Sequence, residues 1–230
     1  MGIAENIQSI RQRMAAAAER AGRDPGDILL VGASKMNHAA ACQAAIAAGI
    51  DALGENRVQE MTQKLSENAY EGAPLHFIGH LQRNKVRQVV GNVSLIQSVS
   101  SLELMEEIQR QAEKHQLIQD VLLEVNIGGE ESKSGFSRDE VEAAALRAKA
   151  LPCLRVRGLM TIPPVVQEPH GNLSYFEEVR RLYVDISRDM YDNSFEYLSM
   201  GMSDDFEDAI ASGATMVRVG SAIFGRRNYQ

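Results

Sequence analysis

Residues 28–35 read Ile-Leu-Leu-Val-Gly-Ala-Ser-Lys, a run of apolar and small side chains that ends on Ser34 and Lys35. Such a run is typical of a strand buried on both faces, as the strands of parallel sheets are. Similar runs recur along the chain and predict a series of strands. They are Ile28–Ala33, Ala52–Leu53, His76–Ile78, Leu95–Gln97, Val121–Asn126, Val156–Met160, Tyr197–Met200 and Met216–Val219.

The stretches between these strands show helical spacing of their apolar residues. Ser137 is followed three residues later by a glutamate, which predicts a capping box, and Ser203 is expected to open a later helix. Gly49 and Gly213 stand where helices should end. The predicted helices are Asn6–Ala21, Val58–Ser66, Asn84–Val90, Leu102–His115, Arg138–Ala150, Tyr175–Tyr191 and Asp204–Ser212.

Strands that alternate with helices predict a parallel sheet covered by helices. Eight strands is the number of an α/β TIM-type (β/α)8 barrel, and a doubly wound open sheet is the rival architecture. No GxGxxG motif opens any of the turns, which weakens the dinucleotide-binding form of that rival. Because no linker or shift in composition interrupts the pattern, we predict a single barrel domain over residues 1–230.

The composition and charge of the chain limit the classes of molecule that the protein is expected to bind. The 230 residues carry a net charge of −7, which argues against general affinity for nucleic acid or an anionic membrane surface. The N-terminus begins polar, without the apolar core of a signal peptide, and no apolar run is long enough to span a bilayer. The histidines lack metal-ligand spacing, so no metal site is expected. We expect a cytoplasmic protein, and, without an exposed heptad or apolar patch, a monomer.

The residues that follow the strands carry the chemistry, because the carboxyl ends of barrel strands form the active face. Lys35 directly follows the first apolar strand. A lysine walled by apolar strands is partly desolvated, which leaves more of its amine neutral and able to attack a carbonyl.

Two turns near the end of the chain suit an anion. Gly201–Ser203 follows the seventh strand and Gly220–Ser221 the eighth, where barrels commonly bind phosphate through backbone N–H groups. Arg218 lies inside the last apolar strand, where a charge needs a partner, either a ligand or an acidic neighbour. Together with Lys35, these features suit a phosphorylated aldehyde such as pyridoxal 5′-phosphate (PLP) or a phosphosugar.

Seven blocks of sequence carry a more specific signal. They are Val31–Lys35, Gly54–Glu60, His76–Lys85, Ser132–Gly135, Arg157–Pro163, Leu198–Asp205 and Met216–Gly225. In these blocks and in their order the chain resembles the pyridoxal phosphate homeostasis proteins.

The resemblance implies a fold-type III PLP barrel, like the N-terminal domain of alanine racemase, with Lys35 as the Schiff-base lysine. It implies that Ser203 and the backbone of Gly220 and Ser221 hold the phosphate, and that Arg218 approaches the pyridine nitrogen. A cation there keeps this nitrogen unprotonated, which weakens the ring as an electron sink. The same likeness adds Asn56, Met160 and Met202 to the cofactor-binding residues.

Some positions depart from the family pattern. Arg57 stands where tyrosine is frequent, which alters the charge of the mouth, and Ser221 stands where threonine is frequent. Lys133 and Gly135 match a family block whose role the sequence does not explain.

The family also bears on whether the chain is a carrier or a catalyst. Racemisation needs a base on each face of the substrate. In alanine racemases the second base comes from an extra β-domain and a partner subunit, for which a chain ending at Gln230 leaves no room. We therefore expect no catalytic residues and a non-catalytic protein of PLP homeostasis that delivers PLP to apo-enzymes.

Two other functions remain open from the sequence. A weak PLP-dependent amino-acid racemase or decarboxylase would turn over free amino acids. A lysine-dependent aldolase acting on a phosphosugar would use Lys35 without any bound cofactor.

Overall fold

The computed structural model of the chain describes residues 2–130, 132–166 and 168–225. Its strands are β1 (Leu29–Ala33), β2 (Ala52–Glu55), β3 (Leu75–Phe77), β4 (Leu95–Val99), β5 (Gln119–Val125), β6 (Leu154–Thr161), β7 (Tyr197–Ser199) and β8 (Met216–Val219). Its α-helices are α1 (Ile3–Arg20), α2 (Ala39–Ala47), α3 (Val58–Ser66), α4 (Leu102–Lys114), α5 (Arg138–Ala148), α6 (Leu173–Met190), α7 (Phe206–Ala211) and α8 (Ser221–Phe224). Short 3-10 helices cover Pro25–Asp27 and Arg83–Gln88.

The strands form one closed barrel in chain order, and β8 returns to pair with β1. Every pairing is parallel, so all eight carboxyl ends meet at one mouth. Val31 of β1 pairs with Arg218 of β8, which brings the strand before Lys35 beside the strand before Gly220. The predicted TIM-type barrel is confirmed, and the open-sheet rival is excluded.

Side chains that alternate along the strands build two separate cores. One set faces the helices and forms the large core between the sheet and its helical cover. The other set fills the barrel interior, where six fully buried apolar side chains close the barrel beneath the mouth. They are Val31, Ala52, Leu95, Leu122, Met160 and Met216.

A bulge in β6 turns one of these side chains inward. Val156 packs in the outer core, and with a two-residue period Met160 would point outward as well. The register against β5 shifts between Val156 and Gly158, so that Met160 points into the barrel instead. Gly158 has φ +148°, and an added Cβ would lie 1.8 Å from the Tyr197 carbonyl oxygen. Glycine is therefore required at the bulge.

The predicted helices differ from the observed ones at a few ends. The stretch predicted as a helix over Asn84–Val90 is a 3-10 helix that begins at Arg83. The capping box at Ser137 is confirmed, whereas Asp205 and not Ser203 is the N-cap of α7. Gly49 and Gly213 follow α2 and α7 with φ +80° and +100°, as predicted for helix ends.

No helix in the described segments is long and apolar enough to cross a membrane.

Candidate functional site

Lys35 lies in the turn that follows β1 at the barrel mouth. Leu29 and Val31 of β1 face the barrel interior, and Lys35 lies two residues beyond the end of this strand. The lysine is partly buried. Its turn is closed by a hydrogen bond from Asn37 N–H to the Ser34 carbonyl (3.1 Å), and the Asn37 side-chain amide donates to the Lys35 carbonyl (3.0 Å).

Across the β1–β8 pairing, the turns after β7 and β8 bring two hydroxyl groups together. Ser221 Oγ donates to Ser203 Oγ at 3.1 Å, and the Ala222 N–H points at the same Ser203 oxygen at 3.5 Å. Gly220 lets the β8 turn approach β1, because an added Cβ would lie 3.3 Å from the Ala33 carbonyl oxygen. Hydroxyl and backbone N–H donors grouped this way suit a phosphate.

The turn after β7 is fixed by Asp205. Its carboxylate accepts a hydrogen bond from Met202 N–H at 2.7 Å and another from the Asn172 side chain at 2.8 Å. These contacts hold Ser203 next to the β8 turn, although Ser203 does not cap α7. The Met202 side chain is exposed at the rim.

Arg218 lies inside the barrel below these turns and is only 4% exposed. Its Nη1 donates to Ser199 Oγ at 2.6 Å and its Nη2 to the Thr161 carbonyl at 2.9 Å. Burial lowers the pKa of Arg218 to about 10, against the raising effect of Glu124 and Asp205. Among the described residues no carboxylate is within salt-bridge distance of Arg218, so the sequence reading of a structural ion pair is not observed.

A line of hydrogen bonds continues from Arg218 across the barrel. Ser199 Oγ donates to Gln97 Oε1 at 2.7 Å, and Gln97 Nε2 lies 2.9 Å from His76 Nδ1. Because an amide nitrogen can only donate, His76 Nδ1 accepts and its proton belongs on Nε2. Burial lowers the pKa of His76 to about 4, so the imidazole is neutral at physiological pH.

Glu124 is a site residue that the sequence reading missed. It follows Leu122 on the inward face of β5 and pairs in register with Met160. Burial raises the pKa of Glu124 to about 7, although Arg218 acts in the opposite direction. Its Oε2 atom is buried without a hydrogen-bond partner. The alternation of Leu122, Glu124 and Asn126 after a strand start could have indicated an inward carboxyl group.

Asn56, at the end of β2, also has a buried polar atom without a hydrogen-bond partner, its side-chain Oδ1. The chain passes so close to Gly79 that an added Cβ there would lie 2.2 Å from the Asn56 carbonyl oxygen. Buried polar atoms are nearly always hydrogen-bonded, so Asn56 and Glu124 indicate a mouth that a polar molecule completes.

The loop after β5 explains the block that contains Lys133 and Gly135. Lys133 Nζ lies 2.5 Å from Glu130 Oε2 and 3.2 Å from the Pro163 carbonyl oxygen. Gly135 has φ +120°, and an added Cβ would lie 2.7 Å from Asn126 N. The loop therefore packs on the ends of β5 and β6. Arg57 is exposed at the mouth and adds a positive charge there.

The predicted site residues thus collect at one place. Lys35, Asn56, Ser203, Gly220 and Ser221 lie at strand ends on the mouth, and Met202 lies at its rim. Met160 and Arg218 form the floor inside the barrel. In the described part of the chain, no group of three or more histidine, cysteine, aspartate or glutamate side chains could hold a metal ion.

Comparisons with known proteins identify the family of the chain. The family model described as "Alanine racemase, N-terminal domain" matches residues 3–228. The chain is 41% identical over 229 residues to the pyridoxal phosphate homeostasis protein of Aquifex aeolicus, which covers 100% of both chains. It is also 41% identical over 234 residues to the protein of the same name from Escherichia coli K12, covering 99% of this chain and 97% of the relative.

Solved structures show the same barrel. PipY of Synechococcus elongatus, solved with PLP bound, matches with a TM-score of 0.84 and 31% identity over 97% of this chain and 100% of that chain. A Clostridium difficile alanine racemase matches with a TM-score of 0.71 and 15% identity, over 96% of this chain and 57% of that one. The second likeness supports the fold alone.

Proposed function

Because the chain belongs to the pyridoxal phosphate homeostasis protein family, we propose that it binds PLP as a Schiff base on Lys35. We further propose that it takes part in PLP homeostasis by delivering the cofactor to apo-enzymes, without robust catalysis of its own. The proteins it resembles bear the homeostasis name, and PipY was solved with PLP bound.

One observation carries the proposal for this chain. The turn that bears Lys35 follows a strand paired with β8, and the Ser203–Ser221 hydroxyl pair lies at the end of β8. An amine and a phosphate cradle on adjacent strand ends match the aldehyde and phosphate of PLP. The unsatisfied polar atoms of Asn56 and Glu124 provide further partners for a polar ring.

The floor of the mouth supports a carrier over a catalyst. PLP supplies an aldehyde that condenses reversibly with amines, and a protonated pyridine ring that withdraws electrons. Arg218 is a permanent donor on this floor, held by Ser199 and Thr161. A cation facing the pyridine nitrogen keeps that nitrogen unprotonated and weakens electron withdrawal.

The proposal is tested by the visible absorption spectrum of the purified protein with added PLP. We expect a yellow band that borohydride bleaches and that Lys35→Ala lacks, since Lys35 supplies the amine. Lys114→Ala, which removes an exposed lysine of α4, is the matched control and should keep the band. A wild-type protein that stays colourless with PLP would contradict the Schiff base and favour the aldolase.

Delivery and catalysis need a separate experiment. The PLP-loaded protein is mixed with an apo PLP-dependent enzyme, and the return of the enzyme's activity is followed. Activity should return faster than in a control mixture that contains Lys35→Ala and the same amount of PLP. Racemisation of L-alanine by the loaded protein should stay near the rate of free PLP. Robust turnover that Lys35→Ala abolishes would show a racemase in place of a carrier.

The phosphate cradle gives a prediction of its own. Ser203→Ala should weaken PLP binding by about 1.5–3 kcal/mol, or on the order of 10- to 100-fold, because it removes a hydroxyl donor to a charged group. Binding of pyridoxal, which lacks the phosphate, should be unchanged. Titration of both ligands measures the two affinities, with the exposed Ser66→Ala as control. An equal loss for pyridoxal and PLP would show that Ser203 does not bind phosphate.

A monomeric state and a cytoplasmic location stay predictions of the sequence. Light scattering behind a sizing column measures the first of them.

A further inference from the structure

A buried ionic cluster lies directly behind the turn that bears Lys35. It joins Ser34 at the end of β1, Glu55 at the end of β2, and Glu60 and Lys64 of α3. Ser34 Oγ donates to Glu55 Oε1 at 2.6 Å, and Lys64 Nζ donates to the same oxygen at 2.6 Å. Glu55 and Ser34 are 0% exposed and Lys64 is 4% exposed. This arrangement takes the Glu55 carboxylate and the Lys64 ammonium group out of water, whereas the Glu60 side chain stays 20% exposed.

Lys64 is the centre of the cluster. An ammonium group has three donors, and Lys64 Nζ has three acceptors: Glu55 Oε1, Glu60 Oε1 at 2.8 Å and the Ser34 carbonyl at 2.8 Å. Burial alone would lower the pKa of Lys64, but the hydrogen bonds with Glu55 and Glu60 outweigh it and raise the pKa. The group stays a cation, with no proton to spare for another partner.

The cluster holds the main chain on both sides of Lys35. Lys64 binds the carbonyl before it, on Ser34, and Glu60 Oε1 accepts the N–H after it, on Met36. Met36 has φ +62°, a left-handed conformation that is unfavourable for a non-glycine residue. The Met36 side chain is 58% exposed and offers little packing to offset that cost. The hydrogen bond that Met36 N–H donates to Glu60 therefore stabilises an unfavourable backbone next to the reactive lysine.

We propose that Lys64 and Glu60 are positioning residues for Lys35. They hold the Ser34–Met36 turn in the conformation that directs the Lys35 amine into the mouth, where it meets the aldehyde. Both side chains belong to α3 and not to a strand end. The inference rests on the proposed function, because it concerns formation of the Schiff base and not binding of the phosphate or ring.

The test measures formation of the Schiff base separately from binding of the ring and phosphate. Pyridoxine 5′-phosphate keeps the ring and phosphate of PLP but has no aldehyde, so its affinity reports the pocket alone. Lys64→Met should bind pyridoxine 5′-phosphate within about twofold of wild type. Its Schiff base with PLP, followed by visible absorption, should form about tenfold more slowly or less completely.

A second pair of variants separates positioning from stability. Glu60→Ala removes the acceptor for Met36 N–H from a side chain that is already 20% exposed, so it should fold and should repeat the Lys64→Met result. Glu60→Gln keeps an oxygen acceptor and should recover most of the rate. Lys114→Met, in the exposed last turn of α4, should behave as wild type.

The outcomes distinguish this inference from the proposed function. A wild-type protein that forms no Schiff base overturns the proposed function. A wild-type protein that forms it, with Lys64→Met and Glu60→Ala equally fast, overturns only the positioning role. Equal losses for PLP and pyridoxine 5′-phosphate would show a structural cluster that shapes the whole pocket. If Lys64→Met does not fold, the comparison of Glu60→Ala with Glu60→Gln tests the positioning role by itself.

Discussion

Replacing Glu124 with glutamine is expected to change how the free energy of unfolding depends on pH. As the pH rises from 4.5 to 7, the variant should gain about 3 kcal/mol of stability relative to wild type. In the native protein burial raises the pKa of Glu124 from 4.5 to about 7. Between these values the native chain binds more protons than the unfolded chain, so wild-type stability falls as the pH rises. The contribution is complete below pH 4.5 and is lost by pH 7. Glutamine does not titrate and avoids this loss.

His76→Gln should change the pH dependence of the free energy of unfolding in the opposite direction. Burial lowers the pKa of His76 from 6.5 to about 4, so the unfolded chain binds more protons between these values. Wild-type stability from this group is complete above pH 6.5 and is lost as the pH falls through 4. Relative to wild type, His76→Gln should therefore gain about 3 kcal/mol as the pH falls from 6.5 to 4.

Urea unfolding of the cofactor-free protein at a series of pH values measures both effects. The two contributions oppose each other between pH 4.5 and 6.5, so the double variant should nearly restore the wild-type slope. Comparison with wild type cancels the groups that all variants share. If Glu124→Gln runs parallel to wild type, the carboxyl group is solvated and does not face the barrel interior.

The second large effect concerns Arg218. Replacement by methionine should leave the cofactor-free protein at least as stable as wild type, with a gain of up to about 3 kcal/mol. Burial lowers the pKa of Arg218 to about 10, well below the usual value of a guanidinium group, which means that the fold disfavours its charge. Loss of the hydrogen bonds to Ser199 and Thr161 offsets part of the gain. Methionine fills a similar volume without a charge.

The same variant should bind PLP at least about tenfold more weakly, because the pyridine nitrogen loses its donor. Urea unfolding measures stability and absorption titration measures affinity, so the two effects are read separately. A variant that loses several kcal/mol of stability would show that Arg218 holds the barrel together. One that keeps full PLP affinity would show that Arg218 does not contact the ring.

The sequence predicted the barrel because its signals are local. Residues 28–33 are all apolar or small, and a parallel strand buried on both faces has that pattern wherever it occurs. Lys35, Ser203 and Ser221 could be placed at the mouth for the same reason, since strand ends in a barrel share one edge. Helix ends were harder to predict: Asp205 and not Ser203 is the N-cap of α7, and the Asp205 carboxylate accepts the Met202 N–H before the helix, a contact that depends on the tertiary turn.

The residues that the sequence did not indicate depend on contacts between distant elements. Lys64 lies among polar residues on α3 and has the pattern of a surface lysine, yet it reaches Ser34, 30 positions away. Met160 was assigned to the site through family likeness, but its inward direction depends on the β6 bulge at Gly158, which a two-residue period does not predict. Glu124 was assigned to a buried strand without a role, because its unsatisfied oxygen exists only in the closed barrel.

The most direct test of the account is to locate the lysine that carries the cofactor. The protein is loaded with PLP, reduced with borohydride, digested and mapped by mass spectrometry. The account predicts one phosphopyridoxyl group per chain, on the peptide that contains Lys35, and its absence from Lys35→Ala. A group on another lysine, with Lys35 unmodified, would contradict the assignment of the barrel mouth as the PLP site.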